Sequence, residues 1–219
     1  MPTMVFPHNH ITIVAPQQHF KLSFRTEDAL SRVDNRNNFH LKVSAAPAWM
    51  QARQHIQDIQ HVGRAFDWSY STDYRGTLST DAFTTTSKQL DMERLKRKDP
   101  ILFYDETLLF EDELADHGLA QYSLKLRVMP SCFLLLARFY MRLDTQLYRV
   151  NETRVYHAFE EQTLLREFVQ REAPVSALTR HPEAVVDSSL LMDPQWVSMN
   201  LPMDSTSFSV VEEIAVCEK

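Results

Sequence analysis

Three stretches between Ser123 and His157 are separated by breaks of only two residues, and that spacing leaves little choice of architecture. Ser123 to Met129 alternates Leu124, Leu126 and Val128 with Lys125 and Arg127, the period of a half-buried strand. Cys132 to Leu143 is almost wholly apolar, and Gln146 to His157 follows it. The breaks, Pro130-Ser131 and Asp144-Thr145, have the length of hairpin turns. A buried helix would also tolerate the run at 132–143, but its short flanks and alternating neighbours select a strand. The expected fold is α+β, mainly an antiparallel β-sheet of meander or sandwich-like form, with short flanking helices.

Other segments fit that frame. His10 to Val14 and Phe20 to Phe24 read as a strand pair. Thr26 is the expected cap of a short helix reaching about Val33, with Glu27 and Asp28 where the helix dipole favours anions. Leu41 to Ala45 and Phe66 to Tyr70 read as strands, and Pro47 opens a helix through about Gln54. Asp91 caps a helix that ends in Lys96-Arg97-Lys98 and is stopped by Pro100. Ile101 to Phe110 reads as one or two strands, and Leu164 to Arg171 as a helix. Prolines at 174, 182, 194 and 202 predict short helices and loops near the end. No repeat or linker interrupts the chain, so residues 1–219 form a single domain in this reading.

Composition excludes several chemistries. The 3 glycines, Gly63, Gly76 and Gly118, are too scattered for a phosphate loop, a dinucleotide fingerprint or a nucleophile elbow. The 2 cysteines cannot make a disulfide framework or a four-ligand zinc site by themselves. A net charge of -6 argues against nucleic acid as partner. The start has no signal-peptide pattern, and the longest apolar run, Cys132 to Ala137, is too short to span a bilayer. A cytoplasmic protein with no membrane partner is expected.

Folding the three strands with two-residue turns at both breaks pairs Met129 with Cys132 and Leu143 with Gln146. One face then collects Leu124, Leu126, Val128, Phe133, Leu135, Ala137, Phe139, Met141, Leu143, Tyr148 and Val150. The other collects Lys125, Arg127, Leu134, Leu136, Arg138, Tyr140, Arg142, Leu147, Arg149 and Asn151, five of them cations and none acidic. Like charges on one sheet face repel, so something must compensate them. Two readings stand together: carboxylates from elsewhere in this chain cover the face, the stretch Glu111 to Asp116 being one source, or the face docks an acidic peptide or chain terminus. On the second, reversing Arg138 and Arg149 together leaves the fold intact and abolishes binding.

Catalytic and metal patterns are weak. Cys132 and Arg138 have the spacing of cysteine phosphatases, but Phe-Leu-Leu-Leu-Ala between them is a strand core and not a phosphate-wrapping loop. His8-Asn9-His10 has no third ligand nearby. Asp105, Glu106, Glu111, Asp112, Glu113, Asp116 and His117 lack the glycine and spacing of a calcium loop. Neither a metal nor another cofactor is expected. An enzyme using the carboxylates and histidine of 112–117 remains a competing reading, as does a module for some other acidic peptide.

Longer blocks carry a resemblance. Residues 67–78, Asp-Trp-Ser-Tyr-Ser-Thr-Asp-Tyr-Arg-Gly-Thr-Leu, and 108–118, Leu-Leu-Phe-Glu-Asp-Glu-Leu-Ala-Asp-His-Gly, resemble the TIPRL family of TOR signalling pathway regulator-like proteins. Lys125-Leu126-Arg127-Val128-Met129-Pro130-Ser131, residues 151–157, Leu165-Arg166-Glu167 and Ala215-Val216-Cys217-Glu218-Lys219 continue the likeness in order. The resemblance implies a non-catalytic antiparallel α+β domain that binds the catalytic subunit of type 2A serine/threonine phosphatases and inhibits or remodels it. It also implies a cleft for the phosphatase's C-terminal tail and an association with an alpha-4-type phosphatase chaperone. Residues implicated by family position are Asp28, Leu90, Val150, Asn151, Glu152 and Arg154; the basic face adds Arg127, Arg138, Tyr140 and Arg149. Family members often carry Met and Asp where this chain has Val150 and Glu152. Relative to the family pattern, a segment before Met4-Val5-Phe6 is lacking, so either an exposed sheet edge or a truncated chain is expected, and residues 204–212 are extra.

Overall fold

The computed structural model describes residues 2–15, 20–34, 42–43, 47–52, 66–67, 71–79, 83–204 and 206–216. Its strands are β1 (Met4–Val5), β2 (His10–Ala15), β3 (Phe20–Arg25), β4 (Val33–Asp34), β5 (Lys42–Val43), β6 (Phe66–Asp67), β7 (Ser71–Thr72), β8 (Thr77–Leu78), β9 (Thr84–Thr85), β10 (Phe103–Asp112), β11 (Gly118–Val128), β12 (Cys132–Leu143), β13 (Leu147–Ala158), β14 (Thr163–Pro174) and β15 (Phe208–Ala215). Helices α1 (Thr26–Ser31), α2 (Pro47–Ala52), α3 (Met92–Lys96), α4 (Pro182–Val186) and α5 (Pro194–Asn200) are all short. The expected α+β class with a large antiparallel sheet is what forms. An eight-stranded sheet runs β1-β10-β11-β12-β13-β14-β15-β9, so its centre is a meander of consecutive strands. A second sheet, β2-β3-β8, lies against one of its faces.

That inner face holds the main core. Phe20, Leu22 and Phe24 of β3 pack with Phe110, Tyr122, Leu124, Leu135, Ala137 and Phe139. Polar staples fix the two layers: the Tyr74 hydroxyl donates to the Ser23 carbonyl at 3.1 Å and accepts from the Arg25 amide at 3.2 Å. Tyr122 in turn donates to the Tyr74 carbonyl at 2.9 Å. The outer face carries two smaller cores. Tyr140, Tyr148, Val150 and Ala173 pack under Leu178, Ala184, Trp196, Val197 and Leu201 of the C-terminal helical segment. At the other end Leu90 and Leu95 pack with Met129, Cys132, Tyr156 and Leu165.

Three expectations change. Leu164 to Arg171 is not a helix but the middle of β14. Its apolar residues at 164, 165, 168 and 169 mimic helical spacing because both faces are covered: Leu164 joins the inner core, while Leu165 joins an outer one. Thr26 does not cap α1 but begins it, and its hydroxyl donates to the Phe6 carbonyl at 2.7 Å, tying the N-terminal segment down. The third change is register. The Pro130-Ser131 turn is as expected, with the Met129 amide bonded to the Cys132 carbonyl at 2.9 Å. The next loop has three residues, Asp144 to Gln146, and Leu143 pairs with Leu147. Thr145 occupies the left-handed region at φ 62° there, the device of three-residue hairpins. One extra loop residue turns every side chain of β13 to the opposite face.

Segments expected at Leu41 to Ala45, Pro47 to Gln54 and Phe66 to Tyr70 are seen only as β5, α2 and β6; the remainder lies outside the described residues. The Asp91 cap forms as expected, its side chain accepting from the Arg94 amide at 2.9 Å.

A cation-lined groove on the outer sheet face

The register change divides the expected basic face. Arg149 and Asn151 now share the inner face with Met141 and Phe139, while Val150, Glu152 and Arg154 share the outer face with Tyr140, Arg138 and Leu136. Arg149 is buried and donates to Glu172 at 2.6 Å from the neighbouring strand. Asn151 is buried and donates to the Ser71 hydroxyl at 3.1 Å and the Thr72 carbonyl at 2.7 Å. Asn151 thus joins the inner face to β7, which covers it, while Arg149 ties β13 to β14 within the sheet. Asp28 is also on that side, accepting from Thr77 at 2.8 Å beside a cavity of about 530 Å³ lined by Arg32, Asp73, Arg75 and Arg166.

On the outer face a charged belt separates the two small cores. Glu152 is 2% exposed and holds three guanidinium groups. Arg138 Nε donates to its Oε1 at 2.8 Å; Arg154 Nη2 and Arg171 Nη2 reach its Oε2 at 2.9 and 3.0 Å. Arg154 also donates to Glu167 at 2.7 Å, and Arg171 to the Leu201 carbonyl at 3.0 Å. Burial pulls the Arg171 guanidinium below the usual arginine range, and Glu152 opposes that shift. The carboxylates that compensate the belt therefore come from β13 and β14, not from Glu111 to Asp116. Tyr140 and Val150 are fully buried under the C-terminal helices, and burial pushes the Tyr140 phenol upward. Leu90 is buried in the core beside α3.

What remains accessible lies on β10 to β12, beside α5. A cavity of about 350 Å³ is lined by Tyr104, Lys125, Leu126, Arg127, Leu134, Leu136, Arg138, Gln195 and Met199. It carries three cations, an apolar floor and no carboxylate. A second cavity of about 460 Å³ shares Lys125, Arg138 and Gln195 and adds Glu106, Gln121, Ser123, Asp193 and Pro194, so the two form one groove. Lys125 is paired with Glu106 at 2.9 Å, and Arg138 with Glu152. Arg127 is exposed, and no ion pair among the described residues uses it. The α5 wall is a part that the sequence reading missed. Its local signal is Asp193-Pro194: the Asp193 side chain accepts from the Gln195 amide at 2.8 Å, and proline stands in the first turn.

Among the described residues no group of three or more His, Cys, Asp or Glu side chains is placed to hold a metal ion. The stretch from Asp105 to His117 is spent on β10 and a short 3-10 turn, Leu114–Asp116.

The scaffold is antiparallel α+β, with one sheet face closed and a cation-lined, apolar-floored groove on the other. The chain belongs to the TIP41-like (TIPRL) family, whose family model matches residues 4–179. The human TIP41-like protein is 39% identical over 226 residues, covering 100% of this chain and 76% of its own length. A Caenorhabditis elegans TIP41-like protein is 41% identical over 211 residues, 96% of this chain and 73% of its own. The "Type 2A phosphatase activator TIP41" of Saccharomyces cerevisiae is 32% identical over 232 residues, 97% of this chain and 65% of its own.

Proposed function

We propose that this chain is a non-catalytic cytoplasmic regulator that binds the catalytic subunit of type 2A protein phosphatases in TOR signalling. The groove beside α5 receives an acidic segment of that subunit, its C-terminal tail. The observation that carries this reading is the 350 Å³ cavity, with Lys125, Arg127 and Arg138 in its lining and no carboxylate. Leu134, Leu136 and Met199 suit the apolar side chains of a peptide, which distinguishes the groove from a nucleic-acid surface. The name of the Saccharomyces cerevisiae relative speaks of type 2A phosphatase activation, which supports this partner class and an effect on the bound enzyme other than simple inhibition. Sharing the phosphatase with an alpha-4-type chaperone is part of the same reading.

Arg127 is the contact of largest effect, because no ion pair among the described residues competes for it. Arg138, Glu152 and Arg154 hold the groove floor in shape, and Tyr140, Val150 and Leu90 fix the elements that flank it. Asp28 and Asn151 act from the inner face, through the packing of α1, β7 and β8, and Arg149 through its tie to Glu172 of β14. The test is capture of purified type 2A catalytic subunit by this protein at low salt, with the tail present and deleted. Binding of the intact subunit and clear loss on deletion is the expected result; equal capture of both forms removes the tail from the groove.

A further inference from the structure

The groove beside α5 is graded along its length. Asp193 and Pro194, at the start of α5, line the 460 Å³ cavity; Met199, near its end, lines the 350 Å³ cavity; Gln195 lines both. Six residues of helix rise about 9 Å. The β11 wall has the same order: Ser123 belongs to the first cavity, Arg127 to the second, and Lys125 between them to both. Four strand residues span about 14 Å.

The charges follow that gradient. The Met199 end holds Arg127 and no carboxylate, while the Asp193 end holds Glu106 and Asp193. Two of the cations in the lining are neutralised in place, Lys125 by Glu106 at 2.9 Å and Arg138 by Glu152 at 2.8 Å. Glu106 also accepts from the Tyr104 hydroxyl at 2.7 Å. Arg127 and Asp193 are both exposed, and no ion pair among the described residues uses either of them. Asp193 accepts the Gln195 amide through Oδ1 at 2.8 Å, and no bond among the described residues engages its Oδ2. An open cation thus stands at one end of the groove, with Leu134, Leu136 and Met199 around it, and an open carboxylate at the other.

We propose that the segment this groove receives is itself charge-ordered: an acidic residue flanked by apolar ones at Arg127, and a lysine or arginine three or four residues away at Asp193. This order rests on the groove being the docking site proposed above, and it adds selectivity to that site. An extended chain advances about 3.4 Å per residue, so three or four residues match the gap measured along α5 and β11. A uniformly acidic segment satisfies Arg127 but brings like charge to Asp193, which discriminates against it. Asp193 is the selecting carboxylate, because Glu106 is committed to Lys125 and Tyr104. Total charge cannot supply this selection, since a chain of net charge -6 favours any basic segment wherever its lysines lie.

The probe is a labelled, end-capped peptide, Lys-Thr-Ser-Leu-Asp-Leu-Ser-Thr-Lys, with lysine four residues to either side of the acid, so that either chain direction presents one to Asp193. Its control carries glutamine for both lysines. Fluorescence anisotropy with the full chain should show the lysine peptide binding about three- to fivefold more tightly. Asp193→Asn, which keeps the helix cap, should abolish that preference. Asp187→Asn, an equal change of net charge at an exposed residue outside the groove lining, should leave it intact. Arg127→Glu should weaken both peptides alike. A preference that is absent, that survives Asp193→Asn, or that falls equally with Asp187→Asn overturns the proposal. If Arg127→Glu still weakens both peptides in that case, only the charge order is lost and the groove stands; if Arg127→Glu changes neither, the two fall together.

Discussion

Arg138→Glu is expected to destabilise the fold strongly, not to yield an equally stable protein that has merely lost its partner. Arg138 is buried, and its guanidinium contacts Glu152 through both Nε and Nη2 at 2.8 Å. The substitution removes one of three cations around a buried carboxylate and sets a second carboxylate across the β12–β13 ladder from it. Breaking a buried ion pair from one side costs about 3–5 kcal/mol, and the new repulsion adds to that. For a chain of this size the loss lowers the melting temperature by about 6–20 °C. Thermal unfolding followed by circular dichroism checks it. Arg127→Glu, on the same sheet face but exposed, is the control and should change stability by no more than about 0.5 kcal/mol. A melting temperature for Arg138→Glu equal to the control's means that the belt is not structural. The same logic applies to Arg149, which reaches Glu172 from the inner face.

Gly118→Ala should be comparably damaging for a different reason. Gly118 opens β11 at φ 155° and pairs with Leu143, and an added Cβ would lie 1.9 Å from the Arg142 carbonyl oxygen and 3.2 Å from the Leu143 Cα. The obstruction is backbone in a paired strand, so no side chain can swing away to relieve it. The Asp144 amide bond to the His117 carbonyl, 2.8 Å, anchors the same corner to the three-residue loop. A destabilisation of about 3 kcal/mol or more is expected, read as a fall in the denaturant midpoint at unchanged slope. A near-normal midpoint would show that the β11–β12 pairing slides to accommodate a methyl group.

The sequence shows its meander plainly because β11 alternates over one covered face and Pro130-Ser131 makes a tight turn. Asp91 likewise announces α3, since its carboxylate meets an orphan amide of the first turn. β14 was illegible for a physical reason. With both faces covered, its apolar and charged residues follow the demands of two cores and two ion-pair networks, and period two disappears. The face of Arg149 depended on one residue of loop length. Asp144-Thr145-Gln146 contains neither glycine nor asparagine to mark its left-handed position, which Thr145 occupies instead. Lys125, Arg127 and Arg138 share a face that the sequence shows, because they sit on either side of the two-residue Pro130-Ser131 turn. The α5 wall of the groove could not be placed by periodicity, since it reaches the sheet from more than fifty residues further along the chain.

The decisive measurement is the dissociation constant of the intact type 2A catalytic subunit for the wild-type protein and for Arg127→Glu, by calorimetry at fixed low salt. A charge-assisted contact of about 1.5–3 kcal/mol predicts at least tenfold weaker binding by the variant, with its melting temperature unchanged. Indistinguishable constants for two equally stable proteins would contradict the assignment of the groove beside α5 as the phosphatase-binding surface.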